Sequence, residues 1–214
     1  LFPDPATGSF YILDISVVPS HQGQGIGKAL MWHSISHLRD LGVECIKLDA
    51  TLEGRLVYEH LGFVAEWEFH RWERTDNQPV RTVRPNQLAT RDDQLDQRAF
   101  GADRSALLDQ LDRCSFTIAT EYGFGMIRSG RRAAYLGPVT TETAQNAEPI
   151  IRALVGRTTG PVFWDIPGPN TLAHTLAESL GFNPVRGLTR MTLGQMQTEP
   201  DLMLQFALAA PETG

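Results

Sequence analysis

Apolar positions change their period along this chain, and the changes mark its elements. Ser9 to Val18 reads as a strand, entered from a loop with two prolines. Beyond Gly25, Leu30, Met31, Ile35, Leu38 and Leu41 share one helical face, and Gly42 suits a left-handed cap at its end. Val43 to Ala50 predicts a strand. Thr51 can then cap a helix carrying Leu56, Val57, Tyr58 and Leu61, closed by Gly62. Next, Phe63, Ala65, Trp67 and Phe69 alternate with Val64, Glu66, Glu68 and His70, the pattern of a strand with one buried and one wetter face. This first unit ends near Trp72.

A polar stretch from Glu73 to Pro85, with Thr75 to Pro79 as the best linker, divides the chain into residues 1–74 and 75–214. The second unit predicts a strand at Val80 to Arg84, helices at Asn86 to Ala99 and Ser105 to Arg113, and strands at Ser115 to Thr120, Tyr122 to Arg128 and Ala133 to Thr140. A helix at Ala144 to Val155, a strand at Pro161 to Ile166 and a helix at Asn170 to Leu180 follow. Val185 to Leu193 and Leu202 to Ala209 are expected to close the unit as a pair. Tyr58-Glu59-His60-Leu61-Gly62-Phe63 aligns with Ala177-Glu178-Ser179-Leu180-Gly181-Phe182, so the halves look like one α/β (α+β) fold used twice.

Composition narrows the class. With 214 residues, 42% hydrophobic and 21% charged, the chain is long and apolar enough for a substantial core. The net charge of −6 is spread over both halves, so no basic half exists to hold nucleic acid. Cys45 and Cys114 are far apart in sequence and suggest neither a disulfide framework nor a metal site, which fits a reducing cytoplasm. The longest apolar run, Leu202 to Ala210, is interrupted by Gln205 and short of the roughly 20 residues of a membrane helix. No export leader or membrane partner is expected.

Chemistry concentrates in Gln22-Gly23-Gln24-Gly25-Ile26-Gly27-Lys28, between the first strand and its helix. Three glycines let the backbone approach an anion, and the amides left unpaired at a helix N-terminus point toward it with the helix dipole behind them. A dinucleotide fingerprint would need glycine where Lys28 stands. A P-loop would need glycine in place of Gln22 and Ser or Thr in place of Ala29. The expected guest is another phosphate-bearing cofactor.

Val17-Val18-Pro19 followed by Gln22-x-x-Gly25-x-Gly27 resembles motif A of the GCN5-related N-acetyltransferase (GNAT) superfamily. Asp49 to Phe63, a short helix bearing Tyr58 and ending at Gly62-Phe63, resembles its motif B. The second half resembles the degenerate C-terminal domain of a two-domain bacterial-type group, through Phe100 to Arg104, Tyr122 to Phe124 and Leu136 to Pro138. The resemblance implies tandem GNAT folds, the first lacking its N-terminal elements in this sequence, and transfer of an acetyl group from acetyl-CoA to a primary amine by direct attack. Residues 22–28 would hold the pyrophosphate, while Val17 and Val18 lie on the strand, from Ile15, that would run beside the pantetheine. Tyr58 would be the general acid for the departing thiolate, since a phenol can protonate a thiolate held near it. Asp14 is a candidate proton relay. Thr51 and Gly54 stand where the family often has Asn and Ala.

Other chemistries find less support. His33 and His37 have the spacing of a helical zinc pair, but Ser34 replaces the expected glutamate and no third ligand is evident, so no metal is expected. No Gly-x-Ser-x-Gly motif is present. In the second half, Thr140 to Gln145 carries Glu142 where the glycines would be, and Ala177 replaces the tyrosine. Arg128, Arg131 and Arg132 cluster at a hairpin that could hold an acidic ligand or simply be solvated. The expected partner is an amine-bearing small molecule or protein, and a homo-oligomer is compatible with the sequence. A coenzyme A binding or sensing protein without catalysis, and a purely structural pair of domains, stay as alternatives.

Overall fold

A computed structural model describes residues 2–3, 9–11, 15–75, 80, 89–195 and 198–210. Among these, ten strands form one sheet, with helices packed on it. Its first half comprises β1 (Phe2–Pro3), β2 (Ser9–Tyr11), α1 (Ile26–Asp40), β3 (Cys45–Ala50), α2 (Leu52–Glu59) and β4 (Val64–Arg74). The second half begins with α3 (Asp93–Phe100), α4 (Ser105–Asp112), β5 (Ser115–Thr120), β6 (Gly123–Arg128) and β7 (Ala134–Thr141). It continues through α5 (Ala144–Val155), β8 (Val162–Pro167), α6 (Thr171–Ser179), β9 (Asn183–Gly194) and β10 (Gln205–Ala207).

The strand order β1-β2-β3-β9-β4-β8-β7-β6-β5 interleaves the halves. β9, late in the chain, pairs antiparallel with β3 from Cys45↔Gly194 to Ala50↔Thr189 and, on its other edge, with β4. β4 in turn pairs with β8, from Phe69↔Pro167 to Arg74↔Val162. Each half thus lends a strand to the other. Two ion pairs sit across these seams, one with both side chains buried and one with its arginine half-buried. Arg190 of β9 forks onto Asp49 of β3 at 2.5 and 3.0 Å, and Arg71 of β4 onto Asp165 of β8 at 2.8 Å for each bond. Such pairs add little net stability, but losing one partner strands the other charge, so they enforce register.

One face of the sheet carries two cores. Met31, Ile35 and Leu38 of α1 pack on Ile46, Leu48 and Ala50 of β3 and on Met191 of β9. Ile150, Ile151 and Leu154 of α5 pack with Leu136, Trp164 and Trp72, a residue of the lent strand β4. On the other face, buried Arg104 forks onto Asp96 at 2.8 and 2.9 Å, and the Thr140 hydroxyl donates to Asp96 at 3.0 Å, which ties α3 and α4 to β7.

Most predicted elements fall within a few residues of their observed bounds, including α5 at Ala144–Val155. Thr51 caps α2 as expected, its hydroxyl accepting from the Gly54 amide at 3.1 Å. Four expectations change. Val185 to Leu193 does not pair with Leu202 to Ala209, because both edges of β9 are taken by β3 and β4, while β10 pairs with β7. The strand predicted at Ser9 to Val18 is regular over Ser9–Tyr11; residues 15–18 lie outside the ladder, and 12–14 outside the described residues. The helix predicted from Asn86 starts at Asp93, where Asp92 caps the Gln94 and Leu95 amides, while the Ala89 amide bonds the Ala119 carbonyl. Finally, a bulge between Ala65 and Trp67 pairs them with the successive residues Met191 and Arg190, so Ala65 and Trp67 lie on opposite faces. The predicted linker at 76–79, the strand over 81–84 and the helix start at 86–88 lie outside the described residues.

Candidate functional site

Between β2 and β3 the sheet forks. Among the described residues their parallel pairing runs from Ser9↔Cys45 to Tyr11↔Lys47, residues 15–18 lie off the ladder, and Leu48 to Ala50 continue on the β9 side. The chain leaving this fork makes a 3-10 turn at Pro19–His21, then a glycine turn with Gly23 at φ 75° and Gly25 at φ 78°. Gly25 is the N-cap of α1 in a left-handed conformation, which costs glycine little. It offers no capping side chain, and the first helical bond is from the Ala29 amide to the Gly25 carbonyl at 2.9 Å. Among the described residues, no backbone acceptor is bonded by the amides of residues 23–28. Nothing lies within 4 Å of a Cβ built on Gly23 or Gly25. These donors, with the helix dipole behind them, suit a diphosphate.

Neighbouring contacts hold the loop in place. The Gln22 amide group donates to the Val17 carbonyl at 3.0 Å, and a Cβ on Gly27 would meet Val17 Cγ2 at 3.6 Å. Val18 is exposed, as are residues 22–25 and Lys28, while Val17, Ile26 and Gly27 are half-buried. Asp14 lies outside the described residues.

Tyr58 is half-buried on α2, edge-on to Phe63 with ring centroids 6.1 Å apart. Ile15, from the segment entering the glycine turn, packs on the same cluster. Gly54 makes room for this ring, since a Cβ there would stand 3.2 Å from Tyr58 Cε2 and 3.4 Å from Thr51 Oγ1. On the last described rung of the β2–β3 pairing, the Lys47 ammonium is buried against Glu66 at 2.7 Å. Burial pulls its pKa below the ordinary lysine value, and Glu66 opposes that shift.

The second half has a corresponding fork. β7 and β8 run parallel only over Ala134 to Leu136, and β10 then pairs with β7 at Val139 and Thr140. The Trp164 indole of β8 donates to the Phe206 carbonyl at 2.7 Å, and the Leu208 amide to the Asp165 carbonyl at 2.9 Å. Asn170 donates to the carbonyls of Leu202, Met203 and Gln205, and Arg128 to those of Gly137 and Ala209. Arg128 is therefore committed to this segment. The N-terminus of α5 has its own cap, the Thr143 hydroxyl accepting from the Asn146 amide at 3.3 Å. Ala177 is fully buried in the α5 core.

Sequence reasoning missed Arg190, the strand exchange and the occupant of this second fork. Leu202 to Ala209 was legible as a strand, but nothing in it names β7 as its neighbour.

Residues 93–207 match the family model described as acetyltransferase (GNAT) domain, and residues 1–63 the acetyltransferase (GNAT) family. The chain belongs to the GNAT acetyltransferase family. A protein of Bacillus subtilis named as an uncharacterized N-acetyltransferase, YitH, is 27% identical over 183 residues, covering 79% of this chain and 64% of that protein. A mycothiol acetyltransferase of Paenarthrobacter aurescens is 42% identical over 69 residues, 31% of this chain and 20% of the relative. The chain thus spans less than two thirds of the curated relatives it matches. Among solved structures, a provisionally assigned acetyltransferase of Pyrococcus horikoshii aligns with a TM-score of 0.81 at 25% identity, over 93% of this chain and 70% of that one. A tandem GNAT protein from the clavulanic acid pathway shares the fold, with a TM-score of 0.55 at 13% identity, over 86% and 74%. The mixed α/β fold is thus a GNAT fold with tandem neighbours, and GNAT enzymes use acetyl-CoA as co-substrate. Among the described residues, no cluster of three or more His, Cys, Asp or Glu is placed to hold a metal. No described helix is long and apolar enough to cross a membrane.

Proposed function

We propose that this chain is the acetyl-CoA-dependent part of an N-acetyltransferase that acts on a primary amine. The catalytic unit is residues 1–74, completed by β9 of the unit 75–214. Bound acetyl-CoA would supply an activated thioester. The amides of Gly23 to Lys28 hold the pyrophosphate, with Gln22 buttressing the loop through Val17. Backbone groups of Val17 and Val18 border the pantetheine. Tyr58, seated against Phe63, delivers a proton to the leaving sulfur. Asp14 is the proposed proton relay for the attacking amine.

The observation that carries this reading is the uncapped α1 N-terminus, where two left-handed glycines have only free space above them. The likeness to mycothiol acetyltransferases covers 31% of the chain and does not carry the acceptor over. The free thiols Cys45 and Cys114 suit a reducing cytoplasm.

Calorimetric titration of coenzyme A tests the proposal. The Gly25→Asp variant should lose coenzyme A affinity by about a hundredfold or more, since its carboxylate would share the space of the diphosphate. Unchanged affinity in a folded variant would remove the glycine turn from the site. Retained binding with no acetyl transfer to any amine by the full-length protein would favour a coenzyme A sensor instead.

A further inference from the structure

The interleaved strands create a second concave site, on the sheet face opposite the cluster that holds Tyr58. Register places Arg71 of β4 beside Asp165 of β8 and Arg186 of β9, and Tyr135 of β7 beside Phe163 of β8. Arg71, Tyr135, Phe163 and Arg186, with the turn between β6 and β7, line an open cavity of about 390 Å³. Such a volume suits a small molecule. It draws on strands from both halves and on a junction that neither half builds alone.

The floor of the cavity is aromatic. Tyr135 and Phe163 meet edge to face with centroids 5.6 Å apart, the Arg71 guanidinium lies over both rings, 5.2 and 4.9 Å from their centroids, and that of Arg128 over Tyr135 at 5.3 Å. Asp165 fixes that guanidinium through its two 2.8 Å bonds, so Arg71 is a positioned cation whose charge is already balanced. The rim is different. Arg131 and Arg132 reach it from the turn and Arg186 from β9, and among the described residues no ion pair ties them down, although exposed Glu53 lies within electrostatic reach of Arg186. Glu73 is the one carboxylate lining the cavity. Setting Asp165 and Glu73 against the four arginines leaves two positive charges around an apolar floor.

Isolated surface arginines need no ligand, because water and salt screen them well. Three that converge on a walled cavity repel one another, and an anion there would relieve all three. Guanidinium forks match carboxylate and phosphate oxygens in a plane, and rings set in a floor favour a flat partner. We propose that this cavity binds a small aromatic anion, its ring against the layer that Arg71 makes with Tyr135 and Phe163 and its phosphate or carboxylate between Arg131, Arg132 and Arg186. The site is separate from the glycine turn and does not depend on acetyl transfer.

Phenyl phosphate and benzoate are suitable probes, titrated into the intact protein by calorimetry with inorganic phosphate in parallel. At least one aromatic anion should saturate with a Kd of about 1 mM or tighter and bind more tightly than phosphate. Its affinity should fall about tenfold or more in the Arg131→Ala/Arg132→Ala variant, and again in Arg186→Ala. Which probe binds better distinguishes a phosphate from a carboxylate ligand. All three substitutions are at exposed positions, and thermal unfolding would verify that the variants fold. No saturation by either aromatic anion, or saturation indifferent to these arginines, would overturn the proposal. Binding lost in Gly25→Asp and kept in the arginine variants would overturn it too, by moving the anion to the glycine turn.

Discussion

The two forks of this sheet are built alike and finished differently. Beyond the β2–β3 fork, the chain turns on glycines and enters α1 with its first amides uncapped. Beyond the β7–β8 fork, Thr143 caps α5, and β10 lies along β7 with its carbonyl groups accepting from Trp164 and Asn170, while that of Ala209, just beyond it, accepts from Arg128. The contrast teaches that a parallel fork leaves backbone groups in need of partners, which can come from a ligand or from the chain itself. A fork filled by its own chain has its backbone groups already partnered. This fits the resemblance by which Thr140 to Gln145 and Ala177 stand where glycines and a tyrosine would be expected.

Substitutions can sharpen that contrast. The largest effect is expected at the first fork, where Tyr58→Phe should lower kcat by about a hundredfold while the coenzyme A affinity stays nearly constant. Steady-state kinetics against pH would check it, and full activity would leave Tyr58 as a packing residue on Phe63. A smaller effect, on stability, is expected at the second fork. A Cβ on Gly137 would stand 1.9 Å from the Leu208 carbonyl oxygen, at φ 140°. Gly137→Ala should therefore displace the β10 segment and cost about 2–3 kcal/mol in denaturant unfolding, with coenzyme A binding unaltered. Loss of coenzyme A binding in the folded variant would show that the forks are not independent.

The smallest effect is on pH dependence. Burial depresses the pKa of Lys47, so between that value and 10.5 the unfolded chain binds more protons than the folded one. Stability from this group therefore rises with pH across that window, and below it the cost of holding a buried ammonium is fully present. Lys47→Met should flatten this rise by less than about 1 kcal/mol, measured as the urea midpoint at neutral and alkaline pH. An unchanged profile would remove Lys47 as its source.

Much of the first fork was legible because its signals are local. The spacing of Gly23, Gly25 and Gly27, the helical face of Met31, Ile35 and Leu38, and the Thr51 cap each depend on residues within a few positions of one another. The partners of the strands were not legible. Alternation reports which side of a strand is buried and not which strand lies beside it. Hence Val185 to Leu193 was read as a strand, yet its place between β3 and β4 could not be. The Ala65–Trp67 bulge escaped for a related reason, as a single extra residue leaves no mark in a pattern of period two. For Arg131 and Arg132 the sequence leaves an acidic-ligand site and a solvated turn side by side, because Arg71, Phe163 and Arg186, which make the turn one wall of a cavity, are distant in sequence.

The exchanged strands also set an order of events during synthesis. Asp49 and Arg190 are 141 residues apart, and β3 has no partner on that edge until β9 has been made. Chain entropy opposes such distant pairing until both segments are available, so the first core to be translated is among the last to close. A ribosome that has released only the first half has released the glycine turn without its finished sheet. Until then, the uncovered edge of β3 depends on chaperones or on chance to stay unpaired with other chains.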